Sequence, residues 1–206
     1  MPGESSVERE YKFEVDPSFE APDLSASGSQ AEILPEQHLT TTYYDTVGRD
    51  LWDGGVTLRI RDDGSGAGKW TLKLPEAEPA SQDPEVSVRT EVTWKGRMSD
   101  MPDESGATVA GLTGGVALEE VAVLESTRRR WLLRAGGSEE PWAEVDDDLV
   151  TVVSGPRQGL RFRQLEVEIL ASQGSPDQVL EALRAAGARP TGASKFGIAA
   201  GLEPHE

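Results

Sequence analysis

The sequence predicts an α+β fold that is mainly antiparallel β, an eight-stranded β-barrel with helices packed outside. Three observations predict it. Segments that alternate between apolar and polar residues recur eight times along the 206 residues, the period-two pattern of strands with one covered face. Several segments are joined by short glycine-rich connections suited to hairpins. In most segments charged residues sit two apart, on the face opposite the apolar side chains. A two-sheet sandwich is the alternative arrangement. The side-chain alternation described below favours the barrel.

The strands are placed near 5–15, 36–45, 56–63, 68–75, 87–95, 119–135, 141–153 and 160–170. The run Gly64-Ser65-Gly66-Ala67-Gly68 turns the third strand into the fourth, and Gly136-Gly137-Ser138 turns the sixth into the seventh. The segments 75–84, rich in Glu, Pro and Ala, and 98–105 are read as mobile loops. Helical pieces are expected near 22–27, 104–113 and 176–187, with a short helix near 194–201. In the third of these, Pro176 suits a first-turn position, Val179, Leu180 and Leu183 share a face, and Gly187 ends the helix. With no internal repeat and no linker, residues 5–202 are expected to form a single domain.

Composition narrows the functional classes. The net charge of −17 argues against a general nucleic-acid binder, which needs a basic footprint. No run of eighteen apolar residues is present, so no membrane-spanning helix is expected. The N-terminal residues lack the basic stretch and apolar core of a secretory signal, and a cytoplasmic protein is expected. Cysteine is absent and the only histidines are His38 and His205. Thiolate and histidine-rich zinc sites are thereby excluded.

The charged faces carry the functional signal. Glu8, Glu10, Lys12 and Glu14 share one face of the first strand, opposite Val7, Tyr11, Phe13 and Val15. Arg59 and Arg61 share a face of the third strand, Lys69, Thr71 and Lys73 of the fourth, and Arg89, Glu91 and Lys95 of the fifth. Arg128 and Arg130 do so in the sixth, Glu144, Asp146 and Asp148 in the seventh, and Glu166 and Glu168 in the eighth. Any one such face fits a solvated strand surface. Across strands, however, the pairs are sorted by sign. Helices covering the apolar faces from outside would leave the charges lining the lumen. A lumen with opposed acidic and basic walls suits a metal–polyphosphate complex: carboxylates hold Mg²⁺ or Mn²⁺, and Arg and Lys hold phosphate oxygens. The excess negative charge is assigned to loops and outer surface, at residues such as Glu76, Glu78, Asp83, Asp100, Asp103, Glu139 and Glu140.

These residues resemble a known family. Glu8-Arg9-Glu10-Tyr11-Lys12 matches the Glu-x-Glu-x-Lys signature of CYTH-domain proteins of the triphosphate tunnel metalloenzyme superfamily. In order along the chain, Tyr43-Tyr44-Asp45-Thr46, Leu58-Arg59-Ile60-Arg61, Thr71-Leu72-Lys73 and Arg89-Thr90-Glu91 resemble further motifs of that family. So do Arg128-Arg129-Arg130, Glu166-Val167-Glu168 and Ser194-Lys195-Phe196. Each pattern alone is weak; eight in order across residues 7–200 are specific.

The resemblance implies an eight-stranded tunnel that binds a triphosphate-containing small molecule with Mg²⁺ or Mn²⁺. It implies metal-ligand roles for Glu8, Glu10, Glu166 and Glu168, with a further acid from the seventh strand. Alternation favours Asp146 or Asp148 for that acid, and a bulge would bring in Asp147 instead. It implies phosphate contacts for Lys12, Arg59, Arg61, Lys73, Arg89, Arg128, Arg130 and Lys195. Lys195 also fits a terminal helix capping the barrel, and Arg130 fits a solvent-facing strand position equally well. Tyr43 and Tyr44 are read as core, Trp52 as packing its loop, and Asp45 as a turn residue. The expected activity is metal-dependent hydrolysis of a phosphoanhydride, with inorganic tripolyphosphate as substrate because no nucleobase- or thiamine-stacking motif is evident. Cyclisation of ATP, hydrolysis of thiamine triphosphate, and a non-enzymatic polyphosphate- or nucleotide-binding module are the alternatives.

Overall fold

The computed structural model describes every residue except 1–2, 28, 65, 67, 77–82, 84, 98–100, 173, 175 and 204–206. The expected loop at 75–84 thus falls largely outside the described residues, as do 98–100 of the one at 98–105, Glu78, Asp100, His205 and two residues of the first hairpin turn, while 103–105, read as loop, are helical. The strands are β1 (Glu4–Glu14), β2 (Ser29–Thr46), β3 (Thr57–Asp62), β4 (Gly68–Pro75), β5 (Val86–Gly96), β6 (Leu118–Ala135), β7 (Pro141–Ser154), β8 (Arg161–Ile169) and the two-residue β9 (Arg189–Pro190). The helices are α1 (Asp50–Asp53), α2 (Asp103–Thr113), α3 (Pro176–Ala185) and α4 (Lys195–Ala200), with a 3₁₀ turn at Leu24–Ser27.

Every pairing is antiparallel. The sheet runs β5-β4-β3-β2-β6-β7-β8-β1 and closes because β1 also pairs with β5. Residues 4–11 of β1 face β5, residues 10–14 face β8, and β9 takes over the β5 side at Phe13 and Glu14. The eight-stranded barrel read from alternation is therefore present, with the added short strand β9.

Alternation sends the apolar side chains outward on most strands, where helices cover them. Tyr11, Phe13, Val145, Leu165 and Val167 form one core with Val179, Leu180 and Leu183 of α3 and Leu24 of the 3₁₀ turn. Leu58, Ile60, Trp70, Leu72 and Trp94 form a second, under Val109 of α2 and Leu51 of α1. The third core lies at one end of the barrel. There Phe196, Ala199 and Ala200 of α4 pack against Tyr43, Leu124, Val150 and Val152. The last three of these share strand faces with the lumen residues Arg128 and Asp148, so α4 closes that end instead of lying on the outer wall. Ser194 Oγ caps α4 by accepting from Gly197 N at 3.0 Å, and Gly201 ends it at φ 72°.

Three details depart from the sequence reading. Strand β2 begins at Ser29, seven residues earlier than expected, and pairs there with the far end of β6. A register shift between Leu34 and Gln37 brackets Pro35, whose missing N–H breaks the ladder. The segment 22–27 contributes a single 3₁₀ turn. The connection after β2 holds α1, which ordinary helix signals do not mark.

Candidate active site

The barrel register arranges the lumen row by row. Glu144, Glu168 and Glu10 lie side by side across β7, β8 and β1, and Asp146, Glu166 and Lys12 form the next row. Across the basic strands, Arg61 pairs with Lys69, and Arg59 with Thr71. Following the sheet order, β7, β8 and β1 make one continuous acidic arc. Strands β4, β3 and β6 supply the cations, with neutral β2 between the last two. β5 carries both signs, as Arg89 and Glu91.

Two connected cavities occupy the lumen and share Glu10, Arg59, Lys73 and Glu166. The inner one, of about 130 Å³, is walled almost wholly by charged side chains, among them Glu8, Arg61, Arg128, Asp146 and Glu168. The outer one, of about 230 Å³, lies at the α4 end and adds Lys12, Arg89, Lys195, Tyr43, Trp52 and Phe196. Every sequence-predicted phosphate or metal residue except Arg130 and Asp148 thus lines one of the two cavities. Those two share the lumen-facing parity of their strands and are paired to cavity-lining residues, Arg130 to Glu144 and Asp148 to Arg128 and Lys195.

Ion pairs stitch the arcs together. Lys73 Nζ lies 2.5 Å from Glu8, 3.0 Å from Glu91 and 3.9 Å from Glu10. Lys12 meets Glu10 at 2.7 Å. Arg128 grips Asp148 through Nε and Nη2 at 2.8 and 2.6 Å and also pairs with Asp146. Arg130 pairs with Glu144 at 2.5 Å. Lys195, from the capping helix, reaches Glu166 at 2.5 Å and Asp148 at 3.0 Å. α4 thus caps the barrel, as one sequence reading of Lys195 has it, and brings this ammonium group against two carboxylates of the acidic arc.

The pairing is incomplete on both sides. Among the described residues, Arg61 makes one side-chain hydrogen bond, from Nε to the Thr41 hydroxyl at 3.4 Å. Burial, together with its neighbours Arg59 and Arg128, pulls its pKa down to about 10. Arg59 Nε is buried with no hydrogen bond. On the acidic side, burial and then Glu8, Glu91, Glu10 and Glu144 push Glu168 up to about 7. Asp146 also rises to about 7, chiefly through burial, which Arg128 opposes and Asp148, Glu144 and Glu166 reinforce. Its Oδ1 accepts no hydrogen bond. Glu8 is raised by burial and by Glu10. Burial works against the charge of Glu10 as well, but Lys73 and Lys12 overcome it and hold the group below its ordinary range. Lys195 and Arg128 do the same, more strongly, for Glu166.

The donor set fits a hard divalent cation. It consists of carboxylate oxygens alone, and Glu8, Glu168 and Asp146 carry repulsion that the resident cations leave uncancelled. Among the described residues, no three of these groups converge closely enough to grip an ion as they stand, because Lys73, Lys12, Arg128 and Lys195 hold most of them apart.

Some site residues escaped the sequence assignment. Glu91 pairs with Lys73 and Glu144 with Arg130. Each sits two residues from an assigned one, and that shared parity was the available signal. Tyr43, read as core, is core and also lines the outer cavity, stacked on Phe196 with ring centroids 5.1 Å apart. Asp147 is corrected. No bulge interrupts β7 here, so it points outward, held by Arg163 through Nε and Nη2 at 2.7 Å each and by Arg129 at 2.8 Å.

A closed antiparallel tunnel with an acidic arc, a basic arc and a capping helix that lends a lysine defines the class of fold. The family model for the CYTH domain matches residues 6–196, and the chain belongs to that family. It is 30% identical, over 90% of its length, to an uncharacterised protein of Mycobacterium tuberculosis known from two strains. The chain spans only 38% of the length of those relatives. Among solved structures, a candidate adenylate cyclase from Bacillus halodurans superposes with a TM-score of 0.63 at 14% identity, covering 94% of this chain and 97% of that one. A candidate adenylyl cyclase from Hippeastrum, described as having a dominant triphosphatase activity, gives 0.51 at 17% identity, covering 93% and 94%. At these identities the likeness is one of fold. No helix among the described residues is long and apolar enough to cross a membrane.

Proposed function

We propose that the lumen binds inorganic tripolyphosphate together with Mg²⁺ or Mn²⁺ and hydrolyses its terminal phosphoanhydride, residues 5–202 acting as one domain. One observation carries the reading. Like charges crowd on opposite walls of one small cavity, and each crowd is only partly compensated by the other. An anion supplies what Arg59 and Arg61 lack, and a cation supplies what Glu8, Glu168 and Asp146 lack. A metal–polyphosphate complex provides both at once.

In this reading Glu8, Glu10, Asp146, Asp148, Glu166 and Glu168 hold the metal. A bound divalent ion supplies Lewis-acid withdrawal of charge from phosphate oxygens. Lys12, Arg59, Arg61 and Lys73 contact the reacting phosphates. They stabilise charge that grows on the leaving pyrophosphate as water attacks the terminal phosphorus and the P–O anhydride bond breaks. Arg89, Arg128, Arg130 and Lys195 hold the remaining oxygens, which requires Arg128, Arg130 and Lys195 to release part of their present pairing. A carboxylate of the acidic arc takes the proton from the water, since among the described residues no histidine lines either cavity.

A second reading has a specific observation behind it. The outer cavity, partly apolar and flanked by Tyr43, Trp52 and Phe196, has room for a non-phosphate group. That favours a nucleoside triphosphate, including ATP cyclisation. The fold neighbours described as candidate cyclases and as a triphosphatase are consistent with either chemistry. The test is a panel of tripolyphosphate, ATP and thiamine triphosphate with Mg²⁺ or Mn²⁺, following phosphate, pyrophosphate and cyclic AMP separately. Phosphate release from tripolyphosphate supports the first reading, and its absence overturns it. Binding without turnover points to a non-enzymatic module.

A further inference from the structure

The carboxyl group of Asp45 is completely buried and accepts three hydrogen bonds from backbone N–H groups. Oδ1 accepts from Thr46 N at 2.7 Å and from Leu51 N at 3.0 Å, while Oδ2 accepts from Trp52 N at 3.0 Å. The neighbouring Thr46 repeats the device: its hydroxyl donates to Asp50 Oδ2 at 2.7 Å and accepts from Asp50 N at 3.0 Å. Together they fasten the turn that contains Arg49, whose φ of 68° is the only positive value for a non-glycine residue among the described residues.

The fastened turn touches the site at two points. Trp52 meets the Phe196 ring edge-on at 5.4 Å, and a Cβ placed on Gly197 would lie 3.0 Å from the indole. Phe196 and Gly197 directly follow Lys195 in α4, so the indole braces the segment that holds this ammonium group against Glu166 and Asp148. Two residues past α1, the Gly55 carbonyl accepts from Arg89 Nη1 at 2.6 Å. Two of the cations at the outer cavity, Lys195 and Arg89, are therefore supported from one buried carboxyl group.

We infer that Asp45 is a positioning residue: through α1 it sets Lys195, by way of Trp52 and Phe196, and Arg89, by way of the Gly55 carbonyl. The inference rests on the tripolyphosphate reading for its kinetic consequence, but its geometric consequence stands without it. In Asp45→Asn a single accepting oxygen remains, and the new NH₂ faces either the Trp52 N–H or those of Thr46 and Leu51. The loss falls on either the Trp52 contact or the Leu51 contact, and both belong to α1.

The test joins two measurements on the whole chain. Timed acetylation read by mass spectrometry compares Lys195 with Lys12 and Lys73, which are lumen lysines on β1 and β4. Asp45→Asn should speed labelling of Lys195 several-fold and leave the other two unchanged. An equal rise at all three marks general loosening and overturns the inference, as does no rise at Lys195. With tripolyphosphate and Mg²⁺ or Mn²⁺, KM should rise about tenfold, the scale of one hydrogen bond to a charged group, while kcat stays within about twofold. An unchanged KM in the folded variant also overturns it. Should Asp45→Asn fail to fold, Trp52→Leu keeps Asp45 and removes the brace, and the Lys195 labelling ratio decides. If the wild-type protein neither binds nor hydrolyses tripolyphosphate, the proposed function falls, and the labelling ratio still judges Asp45.

Discussion

Asp146, Asp147 and Asp148 are chemically identical neighbours with three different situations. Asp146 faces the lumen with its pKa pushed up to about 7, Asp148 faces it clamped by Arg128 and Lys195, and Asp147 is turned outward against Arg163. Strand parity separated the middle residue from its neighbours. It could not reveal Arg163, which stands sixteen residues away and also donates to the Pro17 and Phe19 carbonyls. Asp147→Asn should therefore lower stability by about 3–5 kcal/mol, because one partner of a buried pair remains behind, and leave the kinetic constants intact below the melting transition. Arg61 should behave in the opposite way. Arg61→Met removes a buried cation crowded by Arg59 and Arg128 and only partly balanced by Asp148, so the melting temperature should rise while tripolyphosphate affinity falls at least tenfold. An unchanged affinity would remove Arg61 from the anion site. Glu8→Gln with Glu10→Gln should abolish metal-dependent turnover and keep the circular dichroism spectrum of the parent; full activity would take both residues out of the site.

The elements that sequence made legible are those long enough to show a period. α3 places Val179, Leu180 and Leu183 on one buried face, and the barrel strands repeat their alternation over several residues. α1 has four residues and β9 has two, too few for any period to emerge. What holds α1 in place is Asp45, six and seven residues away from the amides it satisfies, and no propensity scale encodes that. The register of β1 against two partners was likewise invisible, although it is what aligns Glu10 with Glu168. For α3 the expectation is direct: Leu183 is fully buried, and Leu183→Ala should cost about 2–5 kcal/mol. Denaturant unfolding would show it as a lower midpoint at an unchanged slope.

At the scale of the whole molecule, the charge sorting couples stability to pH and metal. Asp146 and Glu168 have folded-state pKa values near 7, so the folded protein holds their protons more tightly than the unfolded chain does. The stability they lend is complete below the ordinary carboxyl range and is lost as pH rises through about 7. The melting temperature of the metal-free protein should therefore fall between pH 5.5 and 8, by about 2–4 °C for each kcal/mol lost. Added Mg²⁺ should raise it more at pH 8 than at pH 5.5, and an equal gain at both would count against these two carboxylates as metal ligands. Glu10 and Glu166, held low, act at the other end: their contribution is present above the ordinary carboxyl range and lost on acidification below it.

The shared strand β1 has a consequence for how the protein reaches its working state. The residues that close the ring against β5 and β8 are the ones that carry Glu8, Glu10 and Lys12. A chain whose first strand has not yet docked has an open sheet with exposed edges, and it also lacks a third of the acidic arc. Assembly and competence are thus completed by the same zippering step. A ligand that needs both walls recognises only finished molecules, and by mass action it draws the population toward them.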